Sequence, residues 1–462
     1  MRQLRRNRSL AAFLLPAAGM ALTAVLALGQ RASSQPPGDL PDTAPPGQDP
    51  NVTLVLERGQ RQQIRLAFPA PDVAGTNAAG SQAARELDAT LRQDLEWSGI
   101  FVIQGPEQLS VQLTGDPARD LEIYRSLGNQ ALLETTLRQQ GDRLVLEGRL
   151  YDLGSGQPIL GKRYQGELDL ARRMAHTFAD EIIRYFTGRS GIALSSIAFY
   201  SDRTGDREIY LMDYDGHNQR RITGHKTISL SPSWNTQSQE VAYVSFLSGP
   251  PGIFLVDLDG GGKRSVIDDG QHNLSPSFSP DGSRLAFARS LAGNWEIYVV
   301  NGDGSGLRRL TNSSAIDTNP AWSPTGREIA FTSSRAGGPQ IYVMDAEGAN
   351  LRRVSSGGNY NDGATWSPSG DKLAYASRQG NAFHIVVTDL VSRGDAAISC
   401  GGSSCESPSF SPDGRQIAYA QTSSGSSGRT TQIYVAHLDG TAPRRLTSEG
   451  SNYAPDWSGA RQ

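Results

Sequence analysis

Residues 275–282, Ser-Pro-Ser-Phe-Ser-Pro-Asp-Gly, form a phrase that recurs across the C-terminal part of the chain and constrains its fold strongly. The aromatic residue of this phrase returns at intervals of 44 residues, with a last interval of 47 residues. The recurring aromatic residues are Trp234, Phe278, Trp322, Trp366, Phe410 and Trp457. The chain therefore contains six consecutive copies of one repeat.

Each repeat contains short runs in which β-branched or aromatic residues alternate with others, such as residues 284–288 and 296–300. Pro-Asp-Gly and Asp-Gly pieces separate the runs, and a shorter run such as 308–311 ends the repeat. This pattern predicts four short antiparallel strands per repeat. Four strands in forty-odd residues, repeated in tandem, are typical of a β-propeller blade.

The two ends of the array are complementary. The first repeat starts at residues 196–200 without an aromatic phrase before it, and the last phrase, 453–458, has no strands after it. We therefore predict that the C-terminal segment supplies the innermost strand of the first blade. This pairing would close an all-β ring of six blades over residues 191–462.

Residues 51–190 follow a different pattern, which predicts an α+β domain of ordinary size. The stripe Met174, Phe178, Ile182 and Phe186 predicts a core-facing helix surface. Strands are predicted at 52–56, 64–68, 101–103, 131–137, 144–151 and 159–164, and helices at 83–97, 118–127 and 168–186.

The N-terminus combines arginines at positions 2, 5, 6 and 8 with an apolar run at 10–28, which indicates a secretory signal over residues 1–32. An uncleaved membrane anchor is the alternative, although Pro16 and the many alanines weaken it. Residues 33–50 indicate a Pro/Gly-rich linker. In an exported chain Cys400 and Cys405 predict a local disulfide, with free thiols as the alternative.

The formal net charge of −3 does not favour a nucleic-acid binder. The six histidines are scattered without metal-ligand spacing, and we interpret each as a surface or turn residue. The Asp-x-Asp-Gly pieces, such as 213–216, predict hairpin turns in preference to calcium loops. We expect neither a metal nor a cofactor.

Serine peptidases of the prolyl oligopeptidase kind also carry a propeller with similar repeats. Their nucleophile lies on a Gly-x-Ser-x-Gly elbow, and that motif does not occur in this sequence. The repeats run to residue 462, so we expect no hydrolase domain after them. These features indicate a binding protein without catalytic residues.

Strand direction reverses at every step, so the loops between second and third strands and the connections between blades share one face of the ring. These loops differ from copy to copy, as 290–294 and 421–429 illustrate, and variable loops on a repeated scaffold favour recognition. The alternative is that each such residue only solvates its loop. The residues predicted to rim the channel on this face and to bind a partner are His272, Asn273, Asp317, Thr318, Tyr360, Asp362, Glu406, Asn452 and Tyr453.

Nearly the whole mature chain resembles the TolB family, the periplasmic propellers of the bacterial Tol-Pal system. The resemblance rests on residues 323–333 and 340–345 in the propeller, and on 95–101 and 150–152 in the first domain. It implies a periplasmic, non-enzymatic scaffold that binds the lipoprotein Pal through the propeller mouth and TolA through the N-terminus of the mature chain.

The resemblance also implies roles in outer-membrane integrity and in envelope constriction during cell division. His272 and Thr318 match the positions of the family's Pal-contacting histidine and threonine. We expect a monomer without a membrane span after signal cleavage. The alternative is a stand-alone exported propeller, either a hydrolase or dehydrogenase relative or a peptide- or glycan-binding module.

Overall fold

The computed structural model describes residues 63–109, 114, 116–291, 293–425 and 428–459 of the chain. The predicted signal, the predicted linker and the predicted strand at 52–56 lie outside these residues. Among the residues described, no helix has both the length and the apolar character needed to span a membrane.

The N-terminal domain is built on one mixed sheet with the order β3-β1-β4-β5-β6, and β2 also pairs with β4. Strand β1 is parallel to β3 and β4, whereas β4, β5 and β6 form antiparallel hairpins. Its elements are β1 (Ile64–Ala67), β2 (Asp72–Ala74), α1 (Ala78–Trp97), β3 (Phe101–Gln104), α2 (Pro117–Ser126), β4 (Ala131–Gln140), β5 (Arg143–Asp152), β6 (Gln157–Glu167) and α3 (Ala171–Thr187), with a 3-10 turn at Leu168–Leu170 before α3.

Helix α1 begins earlier than the predicted start at residue 83. The Asn77 side chain accepts a hydrogen bond of 2.9 Å from the Gly80 amide and caps the first turn. Such a cap satisfies an amide that has no partner within the helix, so the helix can begin there. Helix α3 ends at Gly188, whose φ of 69° lies in the left-handed region that ends many helices.

The core of this domain lies between the sheet and the pair α1 and α3. Leu66 and Leu133 from the sheet pack there with Leu87 of α1 and Phe178 of α3, and all four are fully buried. Met174 and Ile182 are buried and Phe186 packs against the same core, so the predicted core-facing stripe of α3 is confirmed. Helix α2 covers the opposite side of the sheet through Tyr124.

The C-terminal part forms a propeller of six four-stranded sheets, which confirms the predicted fold. We number the blades 1–6 and name the strands of each a–d from the centre outward. Blade 1 comprises Asn452–Trp457, Ser196–Thr204, Asp206–Asp213 and Arg220–Arg221; blade 2 Ser229–Trp234, Glu240–Ser245, Gly252–Asp257 and Lys263–Ile267; blade 3 His272–Phe278, Arg284–Leu291, Asn294–Asn301 and Arg308–Arg309. Blade 4 comprises Asp317–Trp322, Glu328–Ser333, Gln340–Asp345 and Arg352–Arg353; blade 5 Asn361–Trp366, Lys372–Gln379, Ala382–Asp389 and Asp395–Ile398; blade 6 Ser404–Phe410, Gln416–Gly425, Gly428–His437 and Arg444–Arg445.

The C-terminal strand closes the ring as predicted, because Asn452–Trp457 pairs antiparallel with Ser196–Thr204. Its Ser458 hydroxyl also accepts a hydrogen bond of 2.9 Å from the Ser196 amide. The proposed domain boundary at 190–191 falls between α3 and strand b of blade 1.

Every strand a contains a bulge at the same position. The register with strand b shifts there, and the bulged residue adopts a positive φ between 45° and 65°. The bulged residues are Ser231, Ser275, Asn319, Gly363, Ser407 and Ala454. Such a bulge bends the strand and increases its twist near the axis of the ring.

The blades pack through apolar side chains on both faces of each sheet. The layer between blades 3 and 4 contains Ile297 and Val299 from one blade and Trp322 and Phe331 from the next, all buried. The recurring aromatic residue of the repeat therefore forms part of the core between adjacent blades. Its spacing in the sequence follows from the spacing of the blades around the ring.

Candidate functional site

The propeller has two different faces. The turn face carries the a–b and c–d turns, such as residues 279–283, and the hairpin face carries the b–c loops and the connections between blades. The N-terminal domain contacts the turn face, where Trp97 packs edge-on against Tyr214 at 6.0 Å between ring centroids. The predicted partner-binding residues lie at the hairpin-face end of the innermost strands.

One position in each strand a, directly before the bulge, forms what we name the mouth ring. By register these residues are equivalent in all six blades. The mouth ring consists of Leu230, Leu274, Thr318, Asp362, Glu406 and Tyr453. Four of these residues were predicted partner-binding residues, and the two leucines were not.

The acidic side of the mouth ring is formed by Asp362 and Glu406 in adjacent blades. Asp362 is buried and accepts hydrogen bonds of 2.7 Å from Thr332 Oγ1 and 2.7 Å from Asn319 Nδ2. Burial raises the pKa of Asp362, and burial together with the charge of Asp362 raises the pKa of Glu406. Exposed Arg429 partly opposes this effect on Glu406. The two carboxyl groups are therefore sensitive to further loss of water.

Aromatic residues lie around the ring on the same face. His272 is exposed and stacks on half-buried Trp295, with 6.4 Å between ring centroids and 21° between ring planes. Tyr360 packs edge-on against Phe383 at 5.4 Å, and burial raises the pKa of its phenol. Half-buried Tyr453 stacks on Tyr200 at 5.0 Å. These rings are fixed by their neighbours, so they provide rigid contact area at the mouth.

Asp362 and three further predicted partner-binding residues are buried. These three, Asn273, Asp317 and Asn452, are 0% exposed. The expectation that they rim the channel is wrong, because they point into the blades and bind other strands there. Asn273 Oδ1 accepts from Arg289 at 3.0 Å, Asp317 from Arg335 at 2.8 Å, and Asn452 Nδ2 donates to Gln432 at 2.9 Å. These bonds satisfy buried polar groups and stabilise the scaffold.

Cys400 and Cys405 form a disulfide with 6.2 Å between their Cα atoms. Both are buried, and they close the connection between blades 5 and 6 on the hairpin face. Cys405 directly precedes Glu406 in strand a of blade 6. The disulfide therefore fixes the strand that supplies one acidic member of the mouth ring.

The predicted variable loops at 290–294 and 421–429 are mostly strand. Strands b and c of blade 3 continue to Leu291 and from Asn294, and those of blade 6 continue to Gly425 and from Gly428. The blade 6 hairpin extends to Arg429, which interacts with Glu406. Pairing continues because Thr422, Thr430 and Thr431 suit extended backbone.

The opposite end of the channel is a cavity of about 640 Å³ lined by prolines, hydroxyl side chains and the recurring aromatic residues. Asp456 lies there, and its carboxylate accepts a hydrogen bond of 2.7 Å from the Trp234 amide. Burial raises the pKa of Asp456 to about 7. The equivalent residues of blades 3 and 6 are Ser277 and Ser409, and each hydroxyl oxygen accepts a hydrogen bond from a backbone amide of the next blade.

Among the described residues, no three side chains of His, Cys, Asp or Glu group in a way that could hold a metal ion. The Asp-x-Asp-Gly piece at 213–216 forms the c–d turn of blade 1, with Gly216 at φ 88°. This turn contacts the N-terminal domain through Tyr214. The mouth ring thus differs from a metal site, and its half-buried members offer contact area and charge.

Comparison with known protein families agrees with the two-domain organisation of the chain. Residues 183–461 match the family described as TolB beta propeller domain, and residues 52–159 match the TolB amino-terminal domain. The first match covers more than half of the chain. The chain belongs to the TolB family.

Two curated TolB relatives illustrate the similarity. The Tol-Pal system protein TolB of Geobacter sulfurreducens is 38% identical over 179 residues, which are 38% of this chain and 41% of the relative. The TolB homolog of Chlorobium chlorochromatii is 31% identical over 183 residues, 39% of this chain and 41% of the relative. These alignments span about two fifths of the length of each relative.

A crystal structure of TolB from Acinetobacter baumannii superimposes on this TolB-family chain with a TM-score of 0.73. The sequence identity is 26%, over 86% of this chain and 97% of the other. The family assignment supports the expectation that the chain is not an enzyme.

Sequence reasoning missed Leu230, Leu274 and Trp295 in this TolB-family chain, because polar residues were favoured at the channel rim. Counting back two positions from the first proline of the phrase, Pro232 or Pro276, would have found both leucines. Trp295 lies in strand c of blade 3, and its stacking on His272 depends on hairpin pairing that the sequence pattern does not specify residue by residue.

Proposed function

We propose that this chain is a non-enzymatic periplasmic scaffold of the Tol-Pal system that binds a Pal-like lipoprotein at the hairpin face. The observation that carries the proposal is the mouth ring with its fixed aromatic rings, on the face opposite the N-terminal domain. The Tol-Pal names of its relatives support this proposal. Roles in outer-membrane integrity and envelope constriction, and an interaction with TolA, are part of it.

Within the proposed interface, exposed and half-buried residues have different roles. His272 and Trp295 supply aromatic surface beside the channel, and half-buried Thr318 supplies a hydroxyl inside it. Residues at the desolvated centre of an interface contribute most of its binding energy. Thr318 and Glu406 at the mouth are therefore the proposed central contacts, and His272 is the proposed flanking contact.

The buried members of the predicted site have a supporting role in the same proposal. Asp317 is held by Arg335 and by the Ser333 hydroxyl at 2.5 Å, and it directly precedes Thr318 in strand a of blade 4. Asn452 likewise fixes the strand that carries Tyr453. Substitution of these buried residues should lower the free energy of unfolding.

Calorimetric titration with the soluble domain of the organism's Pal tests the proposal. Thr318→Arg should weaken binding by roughly 2 kcal/mol, about thirtyfold in Kd, because it places a charge at the proposed desolvated centre. His272→Glu should weaken binding by a smaller amount, because His272 flanks that centre. Asp281→Ala is the matched control, since Asp281 is exposed on the turn face and its hydrogen bonds among the described residues lie within its own turn. Equal affinity of all three variants and the wild type would refute the site.

The non-enzymatic character is tested separately. Purified chain is incubated with peptide and ester substrates and with a quinone acceptor, and product formation is measured. We expect no turnover above a heat-inactivated sample. Turnover that a single point substitution abolishes would favour the alternative of a hydrolase or dehydrogenase relative.

A further inference from the structure

The contact between the N-terminal domain and the propeller contains a buried group of ionisable side chains. Asp94 of α1 and His176 of α3 are 2% and 4% exposed, and the c–d turn of blade 1 supplies Tyr214 and Asp215, also buried. The Tyr214 hydroxyl donates to Asp94 Oδ1. Arg172 of α3 forms an ion pair with Asp215. Two domains therefore meet through charge, in a place from which water is largely excluded.

His176 is the central group of this contact, because its two ring nitrogens face carboxylates from different domains. Nδ1 lies 2.7 Å from Asp94 Oδ2, and Nε2 lies 3.7 Å from Asp215 Oδ2. Nε2 has no hydrogen-bond partner among the described residues, and the Asp215 carboxylate lies just beyond hydrogen-bond distance from it. A neutral imidazole donates from one nitrogen only, whereas imidazolium donates from both. Protonated His176 thus interacts favourably with both domains.

Further charged and titratable groups surround this contact on every packed element. Arg444 of blade 6 stacks on Trp97 with its guanidinium carbon 3.4 Å from the ring centroid. Gln416 Nε2 donates to the Trp97 carbonyl at 2.8 Å. The titratable and charged groups that face the contact are Asp94 and Glu96 from α1, Arg172, His176 and Asp180 from α3, Tyr214 and Asp215 from blade 1, and Asp413, His437 and Arg444 from blade 6, with the His437 ring beside Gly99.

We propose that Asp94, His176, Tyr214 and Asp215 form a proton-dependent latch between the two domains. The latch is closed while His176 carries a proton between the two carboxylates. Loss of that proton leaves Asp94 without a cation within 4 Å among the described residues, whereas Asp215 keeps its ion pair with Arg172. Arg444 interacts with both carboxylates from a longer distance. Uncompensated charge in a buried contact is costly, so the domains separate more readily.

The titration of three groups gives the direction of the effect. Burial lowers the pKa of His176, but its hydrogen bond to Asp94 and the charge of that carboxylate outweigh burial and raise it. Burial raises the pKa of Asp94, and it raises the pKa of Asp180 to about 6. A group with a raised pKa stabilises the folded contact below its unfolded pKa and loses that contribution as pH rises. All three groups therefore favour a closed latch on the acid side and a weaker one above neutral pH.

Distance measurement between two spin labels on the full chain tests the latch. One label replaces Arg149, exposed on the sheet of the N-terminal domain, and the other replaces Val391, 84% exposed on blade 5. We expect one narrow distance distribution at pH 6 and a second, longer population by pH 9. Far-UV circular dichroism at both pH values verifies that each domain remains folded.

Variants identify the group responsible. His176→Gln keeps an amide donor toward Asp94 without the positive charge, so its distance distribution should change much less between pH 6 and pH 9 than that of the wild type, with Asp94 and Asp180 responsible for the remaining change. Asp215→Asn keeps the bond between His176 and Asp94 and should move the wild-type transition to lower pH by about one unit, because one carboxylate no longer favours imidazolium. His384→Gln on blade 5 is the matched control and should behave as wild type.

Measurements on the wild-type chain alone test whether the latch opens with pH. An unchanged distance distribution from pH 6 to pH 9 in the wild-type chain would overturn the latch. A transition that His384→Gln abolishes, or that both His176→Gln and Asp215→Asn leave at the wild-type pH, would overturn the assignment to His176. The partner titration on the hairpin face is a separate measurement, so its failure and that of the latch are distinguishable.

Discussion

Trp457 allows the ring closure to be tested by a single side chain. It is 6% exposed and packs between blades 1 and 6 with Ile197 and Ile433. Its indole Nε1 donates to Ser195 Oγ at 2.8 Å, and its amide donates to Ser409 Oγ at 2.9 Å. Replacing Trp457 by alanine leaves a cavity in the layer that joins the last blade to the first.

The structure sets the size of the effect. Truncation of a buried tryptophan costs about 3–5 kcal/mol through lost burial and the remaining cavity. Phenylalanine occupies the equivalent position in blades 3 and 6, as Phe278 and Phe410, so Trp457→Phe fits the site. Ser195 Oγ keeps its bond of 2.6 Å to the Ile192 carbonyl, and the phenylalanine variant should lose only about 1–2 kcal/mol.

Urea unfolding followed by circular dichroism measures both changes. With an m value of about 3 kcal/mol/M, Trp457→Ala should lower the unfolding midpoint by roughly 1–1.7 M and Trp457→Phe by roughly 0.5 M. Val391→Ala, at a residue that is 84% exposed, should leave the midpoint unchanged. If the alanine variant unfolds at the wild-type midpoint, the contacts of Trp457 do not stabilise the closed ring.

Removal of residues from 452 onward should abolish cooperative unfolding of the propeller. A truncated chain that unfolds like the wild type would contradict the same reasoning.

Three further predictions concern the channel and its disulfide. Replacing both cysteines, Cys400→Ser with Cys405→Ser, should lower the free energy of unfolding by only about 2 kcal/mol, because a disulfide that closes a short loop stabilises less than one that closes a long loop. An unfolding midpoint equal to that of the oxidised wild type would contradict this. The pKa of Asp456 is raised to about 7, so the stability that this residue contributes is lost as pH rises. Asp456→Ser should therefore raise the free energy of unfolding at pH 8 by roughly 1–3 kcal/mol and remove the decrease in that free energy between pH 4 and pH 8. Urea unfolding at several pH values measures both effects. Affinity for a Pal-like partner should fall about tenfold from pH 5.5 to pH 8, because docking removes further water from Asp362 and Glu406, whose pKa values are already raised; an affinity that is constant with pH in calorimetry would exclude these carboxyls from the contact.

The repeat made the propeller predictable from sequence. Each copy of the repeat contains the signals for its own turns and strands. Trp234 and Trp322 lie at equivalent positions in two different apolar layers between blades. The start of α1 was missed because Asn77 acts through one side-chain bond that leaves no periodic pattern. Local signals were sufficient where the chain repeats itself.

The site was less predictable, because it depends on contacts between distant residues. The expectation that every histidine is a surface or turn residue is wrong for His176, which is buried against Asp94. These residues belong to different helices, so no spacing rule connects them. Asn273 and Asp317 were assigned to the wrong side of strand a for a related reason, since their partners Arg289 and Arg335 belong to strand b or follow it.

The pairing of Asn452–Trp457 with Ser196–Thr204 also sets an order of assembly. A ribosome produces the chain from its N-terminus, so strands b–d of blade 1 emerge long before the strand that completes their sheet. Blades 2–6 can form while blade 1 still has an unpaired edge, and such edges promote aggregation. Tyr453 is supplied by this last strand, so the mouth ring is complete only after the final residues have emerged. A stalled or clipped chain would therefore be both aggregation-prone and unable to present the full binding surface.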